Sequence, residues 1–137
     1  MTGGVPAKIV PGMKGSCERI VTHEWTLSYV DPDWPAVFTT PAMIAMMEMA
    51  SSRAVRPGLP PGSITVGIRI EVDHIKPVHL GASVTAVSKL VEIDGRRLIF
   101  EVEARSGDHV IGHGRVMQTV VQHARFTDKA KSNTASR

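Results

Sequence analysis

The stretch that decides the fold begins with TPAMIAMMEMASSRAV, residues 40–55, and continues with SITVGIRIEVDH, residues 63–74. The first segment predicts a helix, because Thr40 is a good N-cap residue and Pro41 suits the first helical position. Pro57-Gly58 should end this helix shortly after Val55. The segment is apolar nearly all round, so we expect the helix to be buried.

The second segment alternates between apolar and polar residues, which predicts a long, half-buried strand. Its apolar face is expected to carry Ile64, Val66, Ile68, Ile70 and Val72. His74 has the same parity, so a regular strand would direct it toward the helix as well.

Further strands are predicted on both sides of this unit. Downstream, residues 82–93 and 96–105 flank Asp94-Gly95, a signal for a type I′ hairpin, and His109 to Val121 forms the last strand. A strict two-residue turn would place Lys89 opposite an inward Phe100, so we expect a bulge or a longer turn. Upstream, a first strand is predicted from His23 to Val30.

The order of these elements is one strand, one long apolar helix and four strands joined mostly by hairpins. It predicts an α+β hot-dog fold, in which an antiparallel sheet wraps around one central helix. Such a sheet leaves an edge uncovered, and pairing two copies of the chain would cover it. We therefore expect a homodimer.

Composition and charge exclude several functional classes. The chain has 137 residues, of which 42% are hydrophobic, and a net charge of +3. Residues 125–137 hold that whole excess, because four basic residues there face one aspartate, so nucleic acid is a poor candidate partner. The longest apolar run, residues 42–47, is too short to span a membrane, and the first residues lack a secretion signal. We expect a cytoplasmic protein.

The order of the elements and the distribution of charge divide the chain into three segments. Residues 1–16 are predicted to be a flexible N-terminal flank, residues 17–123 the folded domain, and residues 124–137 a disordered basic tail. The only cysteine, Cys17, cannot form an internal disulfide or a thiolate metal cage. His109 and His113 share a strand face but are too far apart to hold one metal easily, so we expect no metal site.

The candidate chemistry centres on Glu48, the one carboxylate in the apolar helix. Burial would raise its pKa toward neutrality, as a general base or nucleophile requires. Alternatively, Glu48 faces a solvent gap or a dimer seam and pairs with Arg53 or Arg56. An inward His74 is by itself more often a core residue, but together with Glu48 it suggests an acid/base pair in one cavity.

Two further residues are candidates for supporting roles. Gly67 interrupts the strand before His74, and its N–H could face a developing oxyanion, although a bulge or close helix packing would also explain a glycine there. Thr40 most simply caps the helix, and the same position could hold water or a substrate carbonyl.

Three segments give the sequence a family resemblance: VFTTPAMIAMMEMA, PGSITVGIRIEVDHIKP and LVEIDGRRLIFEVEARSGDHVIGHG. Over roughly Glu18 to Val121 the chain resembles the hot-dog thioesterases of the fluoroacetyl-CoA thioesterase-like family. The resemblance implies a catalytic set of Thr40, Glu48 and His74, with Gly67 as the strand glycine. It also implies a dimer that cleaves an acyl-CoA thioester in the cytosol without a metal or redox cofactor.

The segment before the helix departs from this family. The fluoroacetyl-specific enzyme carries an aromatic-rich lid there, whereas VDPDWPAV leaves only Trp34 and Phe38 as lid or pocket candidates, which argues against fluoroacetyl specificity. We expect hydrolysis of a small or medium acyl-CoA. Two alternatives use the same fold: an enoyl-thioester hydratase or dehydratase, and a non-catalytic acyl-CoA-binding protein.

Overall fold

The computed structural model describes residues 4–134 of the chain. The strands are β1 (Lys14–Ile20), β2 (Ser63–His74), β3 (Ser83–Asp94), β4 (Arg97–Ser106) and β5 (His109–Gln122). The α-helices are α1 (Leu27–Val30), α2 (Thr40–Val55) and α3 (His123–Ser132), and short 3-10 helices cover His23–Trp25 and Arg56–Gly58. Within residues 4–134, no helix is long and apolar enough to cross a membrane.

The five strands form one antiparallel sheet in the order β1-β3-β4-β5-β2, and α2 packs on one face of it. The buried residues of α2 are Met43, Met46, Met47, Ala50, Ser51, Ala54 and Val55. They meet an apolar layer from the sheet that includes Val84, Leu90, Phe100 and Val116. This is the predicted α+β arrangement, in which the apolar helix and one face of the sheet bury each other to form the core.

The first strand of the sheet is β1, and the prediction of a strand from His23 to Val30 is wrong. In that segment Thr26 bonds back to the His23 carbonyl oxygen through its N–H (3.0 Å) and its hydroxyl (2.6 Å), and the Asp31 N–H bonds to Leu27. These bonds wind the segment into short helical turns. Its contact with another extended segment is an isolated bridge between Thr26 and Phe38, which is too short to make a strand. β1 instead pairs with β3, and the boundary predicted at residue 17 falls inside it.

Strand β2 contains a bulge that changes which residues face α2. The register with β5 shifts between Gly67 and Arg69, and Ile68 is 46% exposed. One extra residue reverses the alternation, since side chains on a strand change face at every position. The prediction that Ile64, Val66 and Ile68 share a face with Ile70 and Val72 is therefore wrong. Only Ile70 and Val72 of that set pack against the core.

The β3–β4 hairpin contains the predicted bulge, which lies between Leu90 and Glu92 and sets Leu90 opposite Phe100. The turn lies one residue later than predicted: Asp94 pairs with Arg97, so its two central residues are Gly95 and Arg96. Gly95 has a φ of 61°, and no non-glycine residue in residues 4–134 has a positive φ. A type I′ turn needs positive φ at both central residues, so the type I′ prediction is wrong.

The C-terminal segment also differs from the prediction, because α3 occupies most of the expected disordered tail. The chain passes from β5 into α3, and the His123 N–H donates to the Gly62 carbonyl oxygen at 2.9 Å. Lys129 and Lys131 lie in the last turn, where a positive charge interacts favourably with the helix dipole. Residues 135–137 lie outside the described part of the chain.

Candidate active site

The start of α2 carries two threonines with different tasks. The Thr39 hydroxyl accepts a hydrogen bond from the Ala42 N–H at 3.3 Å, so Thr39 is the N-cap and the assignment of that role to Thr40 is wrong. Thr40 is the first helical residue, and its Oγ1 lies 2.8 Å from Nδ1 of His74. Since the cap is supplied by its neighbour, the Thr40 hydroxyl is free to bond with the imidazole.

His74 ends β2 and faces α2. Burial lowers the pKa of His74, and the nearby Lys76 backbone partly opposes that effect. Burial thus favours the neutral ring, which can accept a hydrogen bond from Thr40 or donate one to it, depending on its tautomer. Its second nitrogen, Nε2, is buried and has no hydrogen-bond partner in residues 4–134. A partner from outside this set is needed to satisfy it.

Glu48 lies against Gly67. A Cβ atom added at Gly67 would overlap the Glu48 carboxylate, so the glycine leaves the space that the carboxylate fills. Burial raises the pKa of Glu48 above its ordinary value. Arg53 bonds to the Ser16 carbonyl oxygen at 3.0 Å, and no ion pair within residues 4–134 involves Glu48. The alternative pairing of Glu48 with Arg53 or Arg56 is therefore not formed.

The bulge in β2 explains why both Gly67 and His74 face α2 although their positions differ in parity. Gly67 precedes the shift and His74 follows it. The sequence pattern placed them on opposite faces, because it was interpreted as a regular strand, although Gly67 was also compatible with a bulge. The bulge at Ile68 thus lets Gly67, near the middle of β2, and His74, at its end, face the same helix.

Within one chain, these contacts form two separate groups. Thr40 and Glu48 are eight positions apart on α2, a rise of about 12 Å, and Gly67 and His74 are seven positions apart on β2, roughly 20 Å. A cleft of about 290 Å³ adjoins Thr40 and His74, and Glu48 is not among its lining residues. The lining consists of Leu27, Val37, Phe38, Thr39, Thr40, His74, Ile75, Lys76 and Pro77.

The two aromatic pocket candidates differ in position. Phe38 is 2% exposed, lines the cleft and meets the His74 ring edge-on at a centroid distance of 6.3 Å. Trp34 is 49% exposed and does not line the cleft. Among residues 4–134 no three His, Cys, Asp or Glu side chains cluster closely enough to hold a metal ion.

Sequence reasoning missed Gln118, which is only 1% exposed and bonds to the Glu48 carbonyl oxygen at 3.1 Å. It also missed the hydroxyl pair of Ser52 and Thr65, 2.8 Å apart beneath the same turn of α2. The sequence did contain a signal for Gln118: it is a polar residue at an inward position of the last strand, between Val116 and Val120.

Comparison with known proteins supplies the chemical class. A family model described as fluoroacetyl-CoA-specific thioesterase matches residues 21–124. The fluoroacetyl-CoA thioesterase of Streptantibioticus cattleyicolor is 34% identical over 116 residues, which cover 85% of this chain and 84% of that protein. A solved structure of the fluoroacetyl-CoA thioesterase FlK has a TM-score of 0.85 at 30% identity, with 93% of this chain and 98% of that chain covered. A thioesterase superfamily member from Thermus thermophilus has a TM-score of 0.82 at 27% identity, with coverages of 92% and 93%.

The curled five-stranded sheet around a central helix and these structural matches define a hot-dog thioesterase, a thioester hydrolase. More narrowly, the chain belongs to the fluoroacetyl-CoA-specific thioesterase family. The fold class and the family resemblance predicted from the sequence are both confirmed.

Proposed function

We propose that the chain hydrolyses small or medium acyl-CoA thioesters to free acid and CoA, with Thr40, Glu48 and His74 as catalytic residues. The observation that carries this proposal is the position of the Glu48 carboxylate, held against Gly67 without an ion-pair partner in residues 4–134. A carboxylate whose pKa is raised by burial is suited to proton transfer near neutral pH. The thioesterase names of the relatives support the substrate class.

In the proposed reaction, ionised Glu48 removes a proton from water as the water oxygen attacks the thioester carbonyl carbon. Alternatively, the carboxylate itself attacks and forms an anhydride that water then hydrolyses. In both routes the carbon–sulfur bond breaks and the CoA thiolate leaves and takes up a proton. The Gly67 N–H donates to the carbonyl oxygen as negative charge develops there.

His74 and Thr40 act as a pair in this proposal. The neutral imidazole assists as a base or polarises the reacting group, and the Thr40 hydroxyl at 2.8 Å fixes the ring or orients water. Phe38 forms an apolar wall of the adjoining cleft, whose volume of about 290 Å³ supports a small acyl group. No cofactor takes part, and we place the reaction in the cytoplasm.

We further propose a homodimer whose active site is shared between two protomers. β2 is an edge strand of the sheet, and its free edge can pair with a second copy of β2 about a two-fold axis. Antiparallel pairing would bring the His74 end of one strand toward the Gly67 end of the other. The Thr40–His74 pair of one protomer would then lie near Glu48 of its partner, which a single chain does not achieve.

The proposed activity is tested by thiol release from a panel of acyl-CoA thioesters, from acetyl-CoA to decanoyl-CoA, with crotonyl-CoA included. We expect free CoA to appear, with the highest kcat/KM among the short and medium chains. Hydration of crotonyl-CoA without thiol release would instead indicate a hydratase. Binding that raises Tm while no thiol appears over hours would indicate a binding protein.

The two threonines at the start of α2 form a matched pair for a mutational test. Thr39→Ala removes the N-cap and should lower the free energy of unfolding by about 1 kcal/mol while kcat stays near wild type. Thr40→Val removes the hydroxyl beside His74 and should lower kcat at least tenfold with a smaller effect on stability. Urea denaturation and thiol release measure the two quantities. Loss of activity in Thr39→Ala alone would contradict the assigned roles.

A further inference from the structure

We propose that Gln118 is a positioning residue that holds Glu48 against Gly67. This inference rests on the proposed function, because it assigns Gln118 a task only if Glu48 takes part in the reaction. Gln118 lies on β5, which pairs with β2, and its side chain contacts the turn of α2 that carries Glu48.

Both ends of the Gln118 amide are engaged although the residue is almost completely buried. Its Nε2 donates to the Glu48 carbonyl oxygen at 3.1 Å, and its Oε1 accepts from the Ser52 hydroxyl at 3.3 Å. Ser52 in turn lies 2.8 Å from the Thr65 hydroxyl on β2. A buried amide with its donor and acceptor both bonded fixes the groups it touches, because breaking either bond would leave a polar atom without a partner.

The position of Gln118 in the sheet links it to Gly67. The two residues are cross-strand partners, so they lie side by side on the sheet face that meets α2. Gly67 leaves room for the Glu48 carboxylate, and Gln118 holds the Glu48 backbone. Together they position Glu48: Gly67 provides space for the carboxylate, and Gln118 fixes the distance between α2 and the sheet at this turn.

A second buried polar link on the other side of α2 provides an internal comparison. The Ser51 hydroxyl lies 2.8 Å from the Ser88 hydroxyl on β3, and both residues are buried. This link also joins the helix to the sheet, and Ser51 donates to the Met47 carbonyl oxygen rather than to any atom of Glu48. Loss of the Ser88 hydroxyl therefore measures the structural cost of removing one helix-to-sheet link.

The test compares Gln118→Met, which keeps a similar volume but loses both hydrogen bonds, with Ser88→Ala. We expect both variants to melt below wild type, whereas only Gln118→Met loses kcat, by roughly tenfold or more with KM within about twofold. Ser52→Ala, which removes one bond of the network, should show a smaller loss. In the Glu48→Gln background, Gln118→Met should cause no further loss, because Gln118 acts through Glu48.

A titration supplies a readout that does not depend on turnover. Without Gln118 the Glu48 carboxyl is free to move toward solvent, so its pKa, followed by 13C NMR, should fall toward the ordinary value. Ser88→Ala should leave that pKa unchanged. An unchanged Glu48 pKa in Gln118→Met, or a kcat equal to that of Ser88→Ala, overturns the inference. Wild-type turnover in Glu48→Gln would instead overturn the proposed role of Glu48 itself.

Discussion

Replacing Glu48 by glutamine should lower kcat for acyl-CoA hydrolysis by about 100-fold or more. Glutamine has nearly the same shape and fits the space left by Gly67, but it can neither accept the proton of the attacking water nor form an anhydride. KM should change little, because the substitution removes chemistry rather than binding. Thiol release under saturating substrate measures the effect. Turnover comparable to wild type would remove Glu48 from the mechanism.

Stability provides the control for this substitution. Burial penalises the charged carboxylate, so the folded chain holds the Glu48 proton more tightly than the unfolded chain does. The stabilisation present at low pH is therefore lost as pH rises through the raised pKa of the folded state. Glutamine carries no charge, so Glu48→Gln should have a Tm at pH 8 equal to or above that of wild type. Loss of activity in this variant then cannot be attributed to unfolding.

A mixed dimer should regain activity that both of its parents lack. Glu48→Gln and His74→Asn are each expected to be nearly inactive as homodimers. A shared site takes Glu48 from one protomer and His74 from the other. In a heterodimer with one copy of each variant, one of the two sites would therefore be intact and the other would carry both substitutions. The purified heterodimer should therefore show about half of the wild-type kcat per dimer.

If Glu48 and His74 of one chain served the same site, each site of the heterodimer would carry one substitution and the mixed species would be as inactive as its parents. Differently tagged chains, expressed together and purified by both tags in turn, give the required species. Sedimentation should show the wild-type protein as a dimer, and a monomer would refute the shared site.

The fold was largely predictable where the sequence has a strong period. The apolar stretch of α2, with Pro57-Gly58 beyond it, and the alternation in β3, β4 and β5 are local signals that tertiary packing reinforces. The error at His23–Val30 arose because its side chains alternate while its backbone forms short helical turns, with an isolated bridge from Thr26 to Phe38. Alternation of side chains does not reveal whether a backbone has a sheet partner.

Candidate site residues could be named from the sequence, but their geometry could not be predicted. Glu48 was conspicuous as a carboxylate in an apolar helix, and the structure sets it against Gly67. The bulge at Ile68 has no sequence signal apart from the preceding glycine, so the faces of β2 were assigned wrongly in its first half. Thr39 and Thr40 are adjacent and chemically equivalent as caps, and they differ only in the hydrogen bonds that they form in the folded chain.

The pH dependence of wild-type kcat, compared with the titration of Glu48 itself, tests the central claim most directly. Activity should fall as pH drops through the raised pKa of Glu48, because only the ionised carboxylate accepts a proton or attacks a carbonyl. The acid limb of the profile should coincide with the pKa of the Glu48 carboxyl measured by 13C NMR, above the ordinary value for glutamate. A Glu48 that titrates at its ordinary value, or an acid limb that follows a different group, would contradict the account.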